Sequence, residues 1–514
     1  MLSWVKGKSD HPMADEKGAK ELLAELPAND PYKALEEVSH WLEFTRNADG
    51  LKPQRIYEIV DQLETAAKPH HRKLSQEYLT AGNRLQRFHE RRIWSTLTEL
   101  WRQLGATYDY CLAQTLPGVS GAGTLKPHAP AITCRAIRAL ALELKWDLLR
   151  YGPVDPTVWA RMGALYAQAE QRGFALQPCT VYPGPQGDSS VRGEYLKPLM
   201  LYMSATDSLL PRKLELAERI IAQHSDQFVL QKQPASGCHY YADLSTAKPP
   251  ARMVARVTGG ESVRYFGPGA AFDTVDRMID TTTETGALPS SLNLGGTYEP
   301  SLSLVVEVLR HLARYWSAAP PARAQERRKS FARISVVHNF DDVVAIISGE
   351  SNDLAFDANI ETWTVENESD TGYGALIPEA KSDWLRVGTL LGIKPEEGSC
   401  WGVGIVRRMS NDGNQQRYVG IQTLAKGGAR VKLYPVGGKA VSEGGQDAVL
   451  LPSSAADSGG SGELSLLMRM GTFSPRQSFQ MRAYERDYVL VPKQLLEGGQ
   501  DFDMAKFRVL QHAA

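Results

Sequence analysis

Apolar residues between roughly Asp15 and His224 recur at threes and fours, the spacing of helices that bury one face. Leu74, Tyr78, Ala81, Leu85 and Phe88, followed by Leu97, Leu100, Trp101 and Leu104, predict one long amphipathic helix or two in near continuity, with Gly82 weakening the middle. Asp30-Pro31 and Asp155-Pro156 each set a capping acid before a proline at the first helical position, and Pro53 opens a third helix in the same way. The segments Ile132–Tyr151 and Val158–Arg172 read as an antiparallel helix pair. No pattern repeats at about 34 residues, so the region reads as an irregular α-domain rather than a solenoid.

The period changes to two between Phe228 and Phe266. Short runs at 228–230, 239–242, 253–257 and 262–266, broken by Pro and Gly, predict a small β-subdomain. Within it Asp243-Leu244-Ser245 is a polar turn with no following glycine. A helix from Ser301 to Trp316 follows, then an Ala/Pro-rich linker from Ser317 to Ala324. Beyond it, Ile334–Val337, Val343–Ile347, Ile360–Val365, Leu385–Ile393, Gly402–Arg408, Tyr418–Gln422 and Val431–Tyr434 predict strands at the spacing of an antiparallel barrel. Further strands (448–451, 464–470, 479–483, 488–491), interrupted by a Ser/Gly-rich loop from Ser453 to Gly462, either enlarge that barrel or form a second one. The expected class is therefore α+β multidomain, with a helical domain at 1–225, a β-subdomain plus helix at 226–318, a barrel at 319–440 and a β extension at 441–514.

Composition narrows the function classes. The chain has 514 residues, enough for about three domains at roughly 150 residues each. Its net charge of −1 gives no global field for nucleic acid or membrane, and no run of about 18 apolar residues reads as a span. Five scattered cysteines, none in a C-x-x-C pair, exclude a disulfide framework or zinc site by pattern and place the chain in a reducing compartment, the cytoplasm. There is no His-Glu-x-x-His, Walker loop or Gly-x-Ser-x-Gly following a strand, so no catalytic residue and no metal ligand is assigned. His70 and His71 adjoin on a predicted helix and read as solvated. His89 and His239, among aromatic residues, read as packed side chains.

One stretch concentrates ligand chemistry. From Pro321 to Ser335 there are four Arg and one Lys against one Glu, at the entrance to a strand. Guanidinium groups suit flat or phosphorylated ligands through bidentate bonding and stacking. Some thirty residues on, Asn367-Glu368-Ser369-Asp370-Thr371-Gly372 supplies short polar side chains and a glycine able to take positive φ. Arg407 and Arg408 are paired cations that a barrel strand could bring toward a phosphate.

At these residues the chain resembles the PilZ domain, a bacterial receptor module for cyclic dimeric GMP, whose signature is Arg-x-x-x-Arg followed by Asp/Asn-x-Ser-x-x-Gly. The second motif is intact as Asn367, Ser369 and Gly372. In the first, Arg328 and Arg333 stand five apart and Lys329 stands four before Arg333. The resemblance implies a cyclic di-GMP sensor, not an enzyme, in which Arg333 and Arg328, helped by Arg327 or Lys329, clamp guanine and phosphate while Asn367 and Ser369 bond the other guanine and Gly372 admits the backbone. It needs no cofactor or DNA, and it relays binding to the helical half or to a protein partner docked there. The rival is an assembly scaffold whose barrel no longer binds nucleotide; a weaker one is a hydrolase hidden among the helices.

Overall fold

The computed structural model describes residues 9–81, 85–184, 187–253, 260–289, 292, 300–319, 327–349, 360–378, 384–411, 413, 416–436, 445–452, 462–483 and 486–511. Gly82, most of the 253–257 strand, the linker beyond residue 319 and nearly all of the Ser453–Gly462 loop lie outside them. The chain divides into two compact units, Met1–Ala322 and Arg323–Ala514.

The first unit is built on helices: α1 (Glu16–Glu25), α2 (Pro31–Asn47), α3 (Pro53–Ala81), α4 (Arg87–Ala113), α5 (Ala122–Leu125), α6 (Ala129–Leu149), α7 (Thr157–Gln171), α8 (Val191–Met203), α9 (Pro211–Gln223), α10 (Ala270–Thr285) and α11 (Leu302–Trp316). The caps follow the sequence. Asp30 Oδ1 accepts from the Tyr32 and Lys33 amides at 3.1 and 3.2 Å, with Pro31 at the first helical position. Asp155 does the same for Thr157, so α7 starts one residue later than Pro156. The long apolar pattern resolves into two helices, α3 and α4, but Phe88 is 78% exposed rather than on the buried face.

Helix α6 is the axis of this unit, packed by α4, α7 and α8 and buried on nearly every side. It therefore carries charge into the interior. Lys145 meets Glu215 and Glu218 at 2.6 and 2.5 Å, and Lys145, with Arg219 at 3.0 Å, holds the Glu215 carboxyl down at about 2 despite its burial. Lys145→Met should cost roughly 3–5 kcal/mol, because two carboxylates lose their counter-charge, and chemical denaturation reads that loss directly. His71 is not solvated as the sequence implied. Its ring packs edge-on against Trp101 at 5.0 Å, and burial, then Lys145, push its pKa down to about 4. The unfolded histidine protonates near 6.5 and the folded one lower, so stability present above 6.5 is lost as pH falls toward 4. Wild type should therefore lose melting temperature relative to His71→Gln over that interval.

Strands β1 (Cys179–Thr180) and β2 (Asp188–Ser189) form a minimal ladder, and β3 (Val229–Gln231), β4 (Tyr240–Asp243), β5 (Ala251–Arg252) and β6 (Val263–Gly267) form a four-stranded sheet in the order β3-β6-β4-β5. That sheet shares the helices' core through Phe228, Tyr240 and Phe266. His89 is half exposed; it pairs with Glu77 at 3.0 Å, and its ring lies 6.1 Å from that of Tyr32. His239 is partly buried, its Nδ1 3.0 Å from the Trp316 carbonyl oxygen.

The second unit holds two antiparallel barrels. The first uses β7 (Arg328–Lys329), β8 (Arg333–His338), β9 (Glu361–Ser369), β10 (Gly372–Pro378), β11 (Leu390–Pro395), β12 (Gly402–Asn411) and β13 (Gln416–Ala425). Its order is β10-β13-β12-β11-β8-β9, and the pairing of β10 with β9 closes the ring, while β7 continues the edge of β9 that β8 leaves. The second barrel is closed as well, in the order β14-β15-β16-β19-β18-β17, from β14 (Ala429–Pro435), β15 (Gln446–Leu451), β16 (Glu463–Arg469), β17 (Phe479–Ala483), β18 (Arg486–Gly498) and β19 (Phe502–Gln511). The tail is thus a barrel of its own, begun by a strand that precedes residue 440.

Val343–Ile347 is not a strand. It lies in α12 (Phe340–Ser348), where Phe340, Val343, Val344 and Ile346 bury against Val337, Leu390 and Val403 of the first barrel and Val449, Leu467 and Phe502 of the second. Burial on two sides overrides the β preference of the branched residues. Asp501 of the second barrel caps the helix, its Oδ2 accepting from the Phe340 amide at 2.7 Å, and Gly349 ends it in the left-handed region.

Candidate functional site

Residues opposed across an antiparallel ladder share a face, so the register gives the contents of the first barrel's outer surface. One row runs Lys329, Asn367, Gly374, Gly420, Arg408, and the next runs Arg333, Thr364, Leu376, Tyr418, Ser410. Ser369 and Gly372 oppose one another in a third row on the same face. Their interior counterparts, Val365, Ala375, Val419 and Ile421, are buried.

The altered arginine spacing has a local cause. Lys329 pairs with Asn367 and Arg333 with Thr364, so Ser330, Phe331 and Ala332 run beside only Val365 and Glu366. The Ser330 amide donates to the Glu366 carbonyl at 3.0 Å and the Val365 amide to the Ala332 carbonyl at 2.9 Å, leaving Phe331 extruded and 90% exposed. This is a bulge, three residues against two. It also sets phase: Arg327, Lys329 and Arg333 belong to the outer face, while Arg328 opposes Glu368 in a row that continues to Tyr373 and buried Ile421 on the other face. The structure brings Arg327, Lys329, Arg333, Asn367, Ser369 and Gly372 together and turns Arg328 away.

Arg327 is the cation in direct contact with the second motif. Its Nη1 donates to Asn367 Oδ1 at 2.7 Å and to the Tyr418 hydroxyl at 2.8 Å, and Asn367 Nδ2 donates to the same hydroxyl at 3.2 Å. Ser369 Oγ reaches the Gly372 carbonyl at 3.4 Å across the two-residue turn. Among the described residues no carboxylate pairs with Arg327, Lys329 or Arg333. Exposed guanidinium and ammonium groups thus stand ready for an anion.

The glycines clear the floor. Gly372 does not use positive φ; a Cβ there would lie 2.0 Å from the Ile421 carbonyl oxygen, so what it supplies is close approach of β13. A Cβ on Gly374 would lie 2.2 Å from the Tyr418 hydroxyl and 2.6 Å from Asn367 Oδ1. Gly420 extends the same bare row, with Arg408 beyond it. Tyr418 and Gly374 were not singled out in the sequence; the alternation Gly-Tyr-Gly at 372–374 is the only local sign of such a floor.

Arg407, by contrast, is committed. Its Nη1 and Nη2 bond both carboxylate oxygens of Glu497 in the second barrel at 2.5 and 2.8 Å, a bidentate pair that ties the barrels together.

The first unit holds a second concentration of buried polar groups. Glu64 accepts from the hydroxyls of Tyr108 and Tyr182, and Arg135 bonds Asp61 at 2.5 Å and the Val181 carbonyl at 2.9 Å. These groups satisfy one another, as a structural network does. Among the described residues no group of three or more His, Cys, Asp or Glu side chains is placed to hold a metal.

The barrel's geometry and the polar turn agree with comparison against known families. Residues 349–429 match the model described as "Cyclic-di-GMP receptor FimW, middle PilZ domain". The chain carries a PilZ domain. Residues 17–235 match the model described as "Cyclic-di-GMP receptor FimW, N-terminal domain", which accounts for the helical half that no sequence motif identified. The PilZ match contains Asn367, Ser369, Gly372, Gly374, Arg408 and Tyr418 and begins after the arginine run. No curated protein and no solved structure matches the chain. No helix among the described residues is long and apolar enough to cross a membrane.

Proposed function

We propose that this protein is a cyclic di-GMP receptor whose PilZ barrel binds the nucleotide on its outer face and passes the event to the helical half or to a protein docked there. The observation that carries the reading is the junction of Arg327, Asn367 and Tyr418 beside a floor of glycines, in a domain similar to that of a cyclic-di-GMP receptor. Cyclic di-GMP joins two flat guanines to two phosphates. Among the described residues Arg327 spends only Nη1, which leaves Nε and Nη2 to meet a guanine Hoogsteen edge, while Lys329 and Arg333 neutralise phosphate and the Gly374–Gly420 row lets a base lie flat. Arg328 is assigned no contact with the same guanine, because it belongs to the opposite face of β7.

Transmission rests on β7. Two residue pairs, the Ser330 amide and the Arg327 side chain hold this strand, and a ligand gripping Arg327 and Lys329 would fix it further, an order–disorder switch whose strength equals the ligand's preference for the docked strand. Calorimetric titration of the full chain tests the function. Micromolar or tighter binding of cyclic di-GMP, weakened at least about a hundredfold by Arg333→Ala or Arg327→Ala, is expected from the loss of a charge-assisted bidentate contact. A folded wild type that does not respond to cyclic di-GMP returns the protein to the scaffold reading.

A further inference from the structure

Donor and acceptor counting around Tyr418 assigns the ligand one more contact. Arg327 can only donate, so the Asn367 amide must present its oxygen to Nη1, and its nitrogen is thereby turned toward the Tyr418 hydroxyl. The hydroxyl oxygen then receives two N–H bonds, one from Arg327 Nη1 at 2.8 Å and one from Asn367 Nδ2 at 3.2 Å. Both of its lone pairs are taken. Its own O–H is left as a donor with no acceptor among the described residues, on a partly exposed side chain in the row that borders Gly374 and Gly420. A phenol positioned by two donors cannot turn to accept a third bond; it can only give one.

We infer that Tyr418 is a ligand-binding and specificity-determining residue, whose hydroxyl donates to O6 of the guanine that lies on the glycine floor. The inference rests on the cyclic di-GMP reading above. Guanine offers O6 and N7 along that edge, and Arg327, with Nε and Nη2 unused, stands beside the same hydroxyl. The tyrosine proton and the arginine fork thus converge on one base edge. Adenine, which carries an amino group where guanine carries O6, would set donor against donor there and is disfavoured.

The alternative role for Tyr418 is to hold Arg327 in place and nothing more, and a double-mutant cycle on the full chain separates the two. Tyr418→Phe keeps the ring and its packing, so its thermal melt should stay close to wild type. Its affinity for cyclic di-GMP should fall about tenfold, the scale of one hydrogen bond to a desolvated acceptor. The decisive comparison is the same substitution in an Arg327→Ala background, titrated to millimolar nucleotide. A direct contact persists there, and the tenfold loss should recur. If the loss disappears once Arg327 is gone, Tyr418 only positions that arginine and the inference is overturned; an unchanged affinity for Tyr418→Phe alone overturns it too. Absence of binding by the wild-type chain would instead remove the receptor reading on which the inference stands.

Discussion

Gly374→Val is expected to abolish cyclic di-GMP binding while leaving the barrel folded. Even a Cβ at this position would sit 2.2 Å from the Tyr418 hydroxyl and 2.6 to 2.8 Å from the Asn367 amide, well inside contact distance. What must move is the far end of each of two side chains on the outer surface, not backbone or core. The intruding isopropyl group therefore breaks the Arg327–Asn367–Tyr418 junction and fills the floor at once, and the affinity loss should exceed that of any single truncation in the site, reaching about a thousandfold or beyond detection by titration. The melting temperature should shift by a few degrees at most. Gly372→Val makes the contrasting case, because the atom it would meet is the Ile421 carbonyl oxygen of the neighbouring strand, so loss of binding there would accompany loss of fold.

The second large effect concerns where the PilZ domain can be cut. A fragment of residues 323–428 contains every strand of the first barrel, yet it should not melt cooperatively, whereas 323–514 should. Helix α12 is the reason. Removing the second barrel strips Val449, Leu467 and Phe502 from its apolar side, takes away the Asp501 carboxylate that caps it and leaves Arg407 without Glu497. Uncovering Phe340 and its apolar neighbours costs on the order of 1.5–3 kcal/mol for each side chain, together comparable to the whole stability of a small domain. Differential scanning calorimetry of the two fragments decides it: a sharp transition in the shorter one would show that the first barrel is independent.

The sequence yielded the parts of the candidate site whose chemistry is carried by residue type. Asn367, Ser369, Gly372 and the Arg run stand out because few other roles explain short polar side chains, a glycine and clustered guanidinium groups around β-branched runs. What escaped was whatever depends on register. Gly374 and Tyr418 are ordinary strand residues until β10 is laid against β9 and β13, and a one-residue bulge at Phe331 decides that Arg327 rather than Arg328 faces Asn367. The helix α12 escaped for another reason. Its valines and isoleucines favour strands, and only the pair of apolar surfaces that sandwich it makes a helix the better solution. The brackets Asn339 and Gly349, both at positive φ, were the available signal.

The closed ring of the PilZ barrel has no end that can fray, because every one of its six strands is flanked on both sides. Strand β7 is the exception, laid against that ring by the pairs Arg328–Glu368 and Lys329–Asn367, the Ser330 amide on the Glu366 carbonyl and the Arg327 side chain. The site is consequently half wall and half door. Asn367 and Tyr418 belong to the wall and stay put unless the barrel itself opens; Arg327 and Lys329 belong to the door and leave when these few bonds part. On the proposed reading a nucleotide would meet a fixed half, Asn367 and Tyr418, and a swinging half, Arg327 and Lys329, that closes behind it, so both halves would read the base and the door would set residence time.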